Sequence, residues 1–333
     1  MRLLIPCVET HTCGEPTRTV IGGFPNLPGE TIRAKQVYIQ EHLDHVRKSL
    51  IREPRGHRGM FGAILTPPVS PDAVCGVVWF DNAGYLSGCG HGTIGVGITL
   101  VETGMVPASG PLTTFTVDSP SGLLRLSVRA EGGRARETSF ENVPAFSVGS
   151  DLAADVPGLG RIHVDIAFGG NFFAILDAAQ AGLEIRPDKA SHLAEVGLKI
   201  REAVNAQVPI RHPTMPHLDR VQIVTFVAPP TRPGARYLNT HMFGDGAIDR
   251  SPGGTGTSAV MTALYAKGKL AIGEEVVAEG IAGGLFRGRL LRQTALGDRP
   301  AVVPEITGPA YITAFHQFVL DSDDPWAEGF ELH

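Results

Sequence analysis

The sequence predicts an α+β protein made of two related units, and three observations carry that reading. Short Val/Ile/Phe/Leu runs alternate with turn residues along most of the chain, as in a protein of many short strands. Helical periodicity is confined to a few segments. A glycine-rich motif at residues 87–93 returns at 251–257, each time ahead of an apolar run, which points to a duplicated unit.

In chain order, helical spacing of apolar residues is clear over 34–52, "AKQVYIQEHLDHVRKSLIR". Strands are predicted in "AVCGVVWFDNAG" (73–84), "LTTFTVDSPSGLLRLSVRA" (112–130) and "IHVDIAFGGNFFAILDA" (162–178). A second helix is predicted over 189–208, "KASHLAEVGLKIREAVNAQV", then strands in "VQIVTFV" (221–227) and "YITAFHQFVL" (311–320). The two apolar runs behind the glycine motifs are also helical. No charge block or low-complexity linker separates the halves, so the boundary rests on the repeat.

That repeat aligns "SGCGHGT" (87–93) with "SPGGTGT" (251–257), which agree at the serine, two glycines and the final threonine. Behind them stand "IGVGITLVETG" and "SAVMTALYAKG". Each run ends in a glycine 15 residues after the third motif position, Gly104 after Cys89 and Gly268 after Gly253. Glycine just past an apolar run is a helix C-cap signal. The inferred unit is a tight glycine loop feeding the N-terminus of a buried helix.

Composition narrows the function classes. With 29 basic and 34 acidic residues the net charge is −5; there is no Lys/Arg run, so nucleic acid is not an expected partner. The opening apolar stretch is too short for a secretory segment and no later one approaches ~18 residues. The expectation is a cytoplasmic protein that does not engage membranes. Cys7, Cys13, Cys75 and Cys89 are too few for a disulfide framework and read as free thiols.

Helix N-termini present backbone N–H groups and partial positive charge, so bare backbone there makes an anion site. Gly90 and Gly92, with Gly254 and Gly256, offer two such ends, and a carboxylate between them would take donors from both. The same setting favours a thiolate, which makes Cys89 a base or nucleophile, with His91 placed to tune it. Other readings fare worse. "GHGTIG" (90–95) satisfies the dinucleotide pattern, but the preceding strand ends near Phe80, the seven residues "DNAGYLS" (81–87) intervene, and no βαβ alternation surrounds it. Cys7, His11 and Cys13 share strand parity, yet no fourth ligand accompanies them, so no metal is expected. Cys75 reads as core. A cysteine-protease dyad would leave the second glycine loop without a role, and neither loop has the lysine that pyridoxal phosphate requires.

Together with these loops, "THTCGEPTR" (10–18), "EPRGHRGMFGAILTPP" (53–68), "FGGNFFAILDA" (168–178) and "DSDDPWAEGF" (321–330) make the chain resemble the proline racemase family from end to end. The resemblance implies a diaminopimelate-epimerase-like fold: two α+β domains, each a curved sheet around a central helix, with the active site in the cleft. Residues 1–138 plus 308–333 would form the first, carrying Cys89, and 139–307 the second, carrying Asp249 and the Gly253 loop. It also implies cofactor-free chemistry at the α-carbon of proline or hydroxyproline, and suggests a homodimer. By matching motif positions, Gly90, His91, Gly254 and Thr255 would hold the carboxylate, Asp249 and His91 would face the ring amine, and Phe243 would pack on the ring or in the core. Asp249 has a plainer reading as an acid near a helix start.

One departure bears on function. Racemases and 4-hydroxyproline epimerases of the family need an acid/base on each face of the α-carbon, and here the second position is Gly253. Family trans-3-hydroxy-L-proline dehydratases keep the first cysteine and replace the second, usually by threonine, so glycine departs from them too. The resulting expectation is a hydro-lyase with Cys89 as sole acid/base. The alternatives are a 4-hydroxyproline 2-epimerase or proline racemase with a water in place of the second cysteine, and a non-catalytic protein that binds proline analogues.

Overall fold

The computed structural model describes residues 2–332 and divides into two compact units. One runs to Phe140 and resumes at Pro309; the other is Glu141–Gly308. The first opens with strands β1 (Arg2–Thr12) and β2 (Glu15–Val20), helices α1 (Ile32–His42) and α2 (Asp44–Ile51), and strands β3 (Phe61–Thr66), β4 (Ala73–Asp81) and β5 (Tyr85–Leu86). Helix α3 (Gly90–Glu102) and strands β6 (Leu112–Ser119), β7 (Gly122–Glu131) and β8 (Arg134–Glu141) follow. The second holds β9 (Phe146–Val156), β10 (Gly160–Phe168), β11 (Phe172–Asp177), α4 (Ala190–Gln207), β12 (Ile223–Ala228) and β13 (Tyr237–Met242). It continues with α5 (Gly254–Ala266), β14 (Glu275–Gly280), β15 (Leu285–Leu296) and β16 (Arg299–Pro309), and β17 (Tyr311–Asp321) returns to the first unit.

The duplication read from two glycine motifs extends to strand pairing. In the first unit β1 is antiparallel to β2, β2 parallel to β3, β3 antiparallel to β4, β4 parallel to β6 and β6 antiparallel to β7. The second repeats the order with β10, β11, β12, β13, β14 and β15. A flanking strand lies beside the first strand of each set, β17 against β1 and β9 against β10, and β16 adds antiparallel to β15. Parallel neighbours need a crossover, and helices supply each: α1 and α2, then α3, in one unit, α4 and α5 in the other.

Helices α3 and α5 are the hubs. Helix α3 touches β1, β2, β3, β7 and β17, and α5 touches β9, β10, β11 and β15, so each sheet wraps its helix. Residues 90–100 and 254–263 are buried without interruption, which explains runs that are apolar all round rather than on one face. Both helices have 13 residues and end with a C-cap followed by a left-handed glycine, Gly104 at φ 74° and Gly268 at φ 67°. Glycine inside a helix costs about 1 kcal/mol relative to alanine, and α3 carries it for contact. A Cβ at Gly95 would stand 2.6 Å from Thr10 Oγ1, and one at Gly97 2.7 Å from Thr138.

Three sequence expectations are corrected. The helical stretch 34–52 is two helices broken at Leu43 (φ −130°), whose N–H bonds the Ile39 carbonyl. Asp44 then starts α2 as an N-terminal acid, bonded to Arg47 at 2.6 Å, where the helix dipole favours a carboxylate. Cys13 lies beyond β1 in the turn at φ 50°, so the strand parity shared with Cys7 and His11 does not reach it. Cys75 is half-buried rather than core.

The scattered motifs also meet. Arg18 pairs with Glu9 at 2.6 Å, lies over the Phe318 ring and donates to the Arg55 carbonyl at 2.7 Å. Arg55 in turn pairs with Asp324 at 2.5 Å. Stretches 10–18, 53–68 and 321–330 are thereby linked within the first unit, through the buried Arg18 and the partly buried Arg55–Asp324 pair. Among the described residues no helix is long and apolar enough to cross a membrane.

Candidate active site

Helix α3 begins inside the glycine cluster rather than behind it. Cys89 is its N-cap, extended at φ −143° and ψ 105°. Thr93 donates both its N–H (2.9 Å) and its hydroxyl (2.7 Å) to the Cys89 carbonyl. That first helical bond leaves the N–H groups of Gly90, His91 and Gly92 ahead of the i→i−4 ladder, the positions that bind anions.

The Cys89 thiol is 5 % exposed, and its sulfur lies 3.5 Å from Nε2 and 3.8 Å from Nδ1 of His91. His91 is held in turn: Phe61 meets its ring edge-to-face at 4.6 Å, and Thr12 donates to its carbonyl at 2.9 Å. Glycine at 92 has a specific cause. A Cβ there would stand 2.8 Å from Cys89 Sγ and 3.0 Å from the buried Trp79 ring. The bare backbone gives the thiol its place. Burial pushes the thiols of two other cysteines, Cys7 and Cys75, up to about 12, where they stay protonated.

Helix α5 begins at the equivalent residue with a different backbone. Gly253 is its N-cap at φ 69° and ψ 116°, a left-handed conformation that suits glycine. Asp249, 2 % exposed, builds the loop before it: Oδ1 accepts the N–H and the hydroxyl of Ser251, each at 2.8 Å, and Ser251 Oγ accepts the Gly253 N–H at 3.0 Å. Thr257 closes the first turn onto the Gly253 carbonyl at 2.9 Å. Thr255 sits in that turn, and its carbonyl would lie 2.4 Å from a Cβ at Gly169, which accounts for the first glycine of "FGGN"; the second, Gly170, has φ 111°. Phe243 is buried in a tight turn, its N–H bonded to the Ala247 carbonyl at 2.9 Å.

One residue at this helix start escaped the sequence reading. His241 on β13 is 1 % exposed, with Nε2 2.9 Å from the Pro252 carbonyl and Nδ1 2.8 Å from the Thr225 hydroxyl. A carbonyl only accepts, so Nε2 carries the proton and Nδ1 accepts from Thr225. Burial holds this imidazole neutral, lowering its pKa to about 4 against a smaller upward pull from the Pro252 carbonyl. A Cβ at Gly253 would stand 2.3 Å from its Cδ2 and Nε2, and one at Gly256 2.1 Å from its Cε1. The only sequence signal is an isolated histidine 12 and 15 residues before two glycines.

No group of three or more His, Cys, Asp and Glu residues is arranged for a metal ion among the described residues. What stands out is a pair of equivalent helix starts in a duplicated α+β fold, one headed by a thiol. Comparison with known proteins agrees with that architecture. Residues 7–331 match the family described as proline racemase. The chain is 47 % identical over 328 residues to a proline racemase of Clostridioides difficile, covering 98 % of each. It is 40 % identical over 323 residues to a trans-3-hydroxy-L-proline dehydratase of Burkholderia ambifaria, covering 97 % of this chain and 96 % of that one. A hydroxyproline epimerase structure from Agrobacterium vitis with trans-4-hydroxy-L-proline bound superposes with a TM-score of 0.93 at 29 % identity, over 99 % and 95 % of the two chains. The diaminopimelate-epimerase-like fold, the paired helix starts and matches along the whole length lead to one assignment: this chain belongs to the proline racemase family.

Proposed function

We propose that the enzyme dehydrates trans-3-hydroxy-L-proline to Δ1-pyrroline-2-carboxylate with Cys89 as its single acid/base. The observation that carries the reading is the asymmetry of the two helix starts. Cys89 offers a buried thiol beside an imidazole, whereas Gly253 has no side chain and a histidine ring where one would begin. Racemisation by two acid/bases lacks its second group on this reading.

One thiol suffices because of the substrate's stereochemistry. The 3-hydroxyl is trans to the carboxylate, so the α-hydrogen and the hydroxyl share a ring face. Cys89 thiolate takes the α-proton, and the electron pair left on the α-carbon spreads onto a carboxylate stabilised by N–H groups of Gly90, His91, Gly254 and Thr255. The thiol returns its proton to the 3-hydroxyl as the C3–O bond breaks, and water leaves. The enamine so formed tautomerises to the imine. Asp249 and His91 take the ring ammonium in this scheme, and Phe243 shapes the apolar side.

Identity favours one competing reading, since the chain is closer to the named proline racemase (47 %) than to the named dehydratase (40 %). Turnover of trans-3-hydroxy-L-proline, trans-4-hydroxy-L-proline and L-proline, measured side by side with purified enzyme, separates the two. Imine from the first substrate alone is the expected result; no imine, with epimer from either of the others, overturns the dehydratase assignment.

A further inference from the structure

We propose that His241 is the specificity-determining wedge of the second helix start: its ring takes the space an acid/base side chain at residue 253 would need, and so commits the enzyme to one-sided proton transfer. The inference rests on the reading of Cys89 as the acid/base and names what keeps a second one out.

Three independent features support it. The ring lies against two residues of the α5 start, and both are glycine; a Cβ at either would come within 2.3 Å of ring atoms, closer than any real contact. The ring is fixed, because the Thr225 hydroxyl and the Pro252 carbonyl occupy both nitrogens at 2.8 and 2.9 Å and Phe173 meets it edge-to-face at 5.8 Å. The backbone agrees, since Gly253 at φ 69° departs from the extended N-cap at Cys89, and an L side chain at that φ is strained. Gly253 is therefore not a cysteine with its sulfur removed. The imidazole and the left-handed glycine form a matched pair, and changing either alone leaves the other misfit. With its one proton directed at Pro252 and its one lone pair engaged by Thr225, the ring acts as a positioning group rather than a replacement base.

The test is a double-mutant cycle read by stability and by product. Gly253→Cys alone should lower Tm by about 5 °C or more, as overpacking does, and form no more D-proline from L-proline than the unmutated enzyme. Gly253→Cys combined with His241→Val, which suits a strand and lacks the ring, should recover part of that Tm. It should also form D-proline about tenfold or more faster than either single variant. In the unmutated protein, ¹⁵N NMR of His241 should show a neutral ring with its proton on Nε2 from pH 7 to 5, whatever the variants do. Racemisation by the single cysteine variant equal to the double, a double variant no more stable than Gly253→Cys or still unable to racemise, or protonation of His241 near pH 6.5 would each overturn the wedge. Failure of the Cys89 reading looks different: Cys89→Ser would retain dehydration while the Tm coupling and the NMR signature persisted.

Discussion

The imidazole of His241 stands where a side chain at Gly253 would begin, 2.3 Å from the place of its Cβ. A water replacing the missing acid along that direction would meet the same ring. The two helix starts of the duplicated fold thus differ in backbone, in side chain and in what lies behind them.

Cys89→Ser should lower kcat for dehydration by about a hundredfold or more, because a serine hydroxyl is far harder to ionise than a thiol. Affinity for the planar pyrrole-2-carboxylate should change little, since the proposed carboxylate site is made mostly of backbone N–H groups. Calorimetric titration beside steady-state kinetics checks both; near-normal turnover would put the base elsewhere.

Gly92→Ala and Gly95→Ala should each destabilise the fold by about 1–3 kcal/mol in urea unfolding, as overpacked sites do. Only the first should also lower kcat, because its Cβ would press on Cys89 Sγ at 2.8 Å, whereas that of residue 95 meets Thr10. Equal effects on kcat would remove the link between Gly92 and the thiol.

Substitutions can part the loop role of Asp249 from its proposed role opposite the ring ammonium. Asparagine keeps an Oδ1 acceptor for the two Ser251 bonds, so Asp249→Asn should hold Tm while raising KM through loss of charge opposite the ring ammonium. Asp249→Ala leaves those donors without a partner and should cost about 1–3 kcal/mol of stability. An unchanged KM in the asparagine variant would assign Asp249 to the loop alone.

Stability should fall in acid through two buried histidines. Burial lowers the pKa of both His212 and His241 to about 4, against about 6.5 in the unfolded chain. Between those values the unfolded chain binds the extra proton, so stability is full above about pH 6.5. It declines by about 1.4 kcal/mol per pH unit per histidine toward pH 4. His212 Nδ1 accepts the N–H groups of Thr214 and Met215 at 3.2 and 3.0 Å, which an asparagine oxygen can replace. His212→Asn should therefore flatten the slope by one histidine's share; an unchanged slope would contradict this account of the acid loss.

Local chemistry was legible in the sequence where it depended on neighbours along the chain. The glycines at 104 and 268 marked both helix ends, because a left-handed C-cap selects glycine. The repeat likewise placed Cys89 and Gly253 at matching helix starts. What depended on distant partners was not legible. The break at Leu43 interrupts an unbroken helical pattern, and the parallel pairings of β2 with β3 and β11 with β12 join strands far apart in sequence. His241 was overlooked for the same reason: strand parity does not say which helix covers a side chain, so the glycine at 253 read as an empty place rather than one made for a ring.

A single acid/base at Cys89 makes a distinct prediction for L-proline in deuterated water. Proton removal and return would both occur on one face, and proline has no 3-hydroxyl to lose. NMR should show slow deuterium incorporation at the α-carbon with retention, absent in Cys89→Ser, and chiral analysis should find no D-proline. Appreciable D-proline from the unmutated enzyme would contradict the claim.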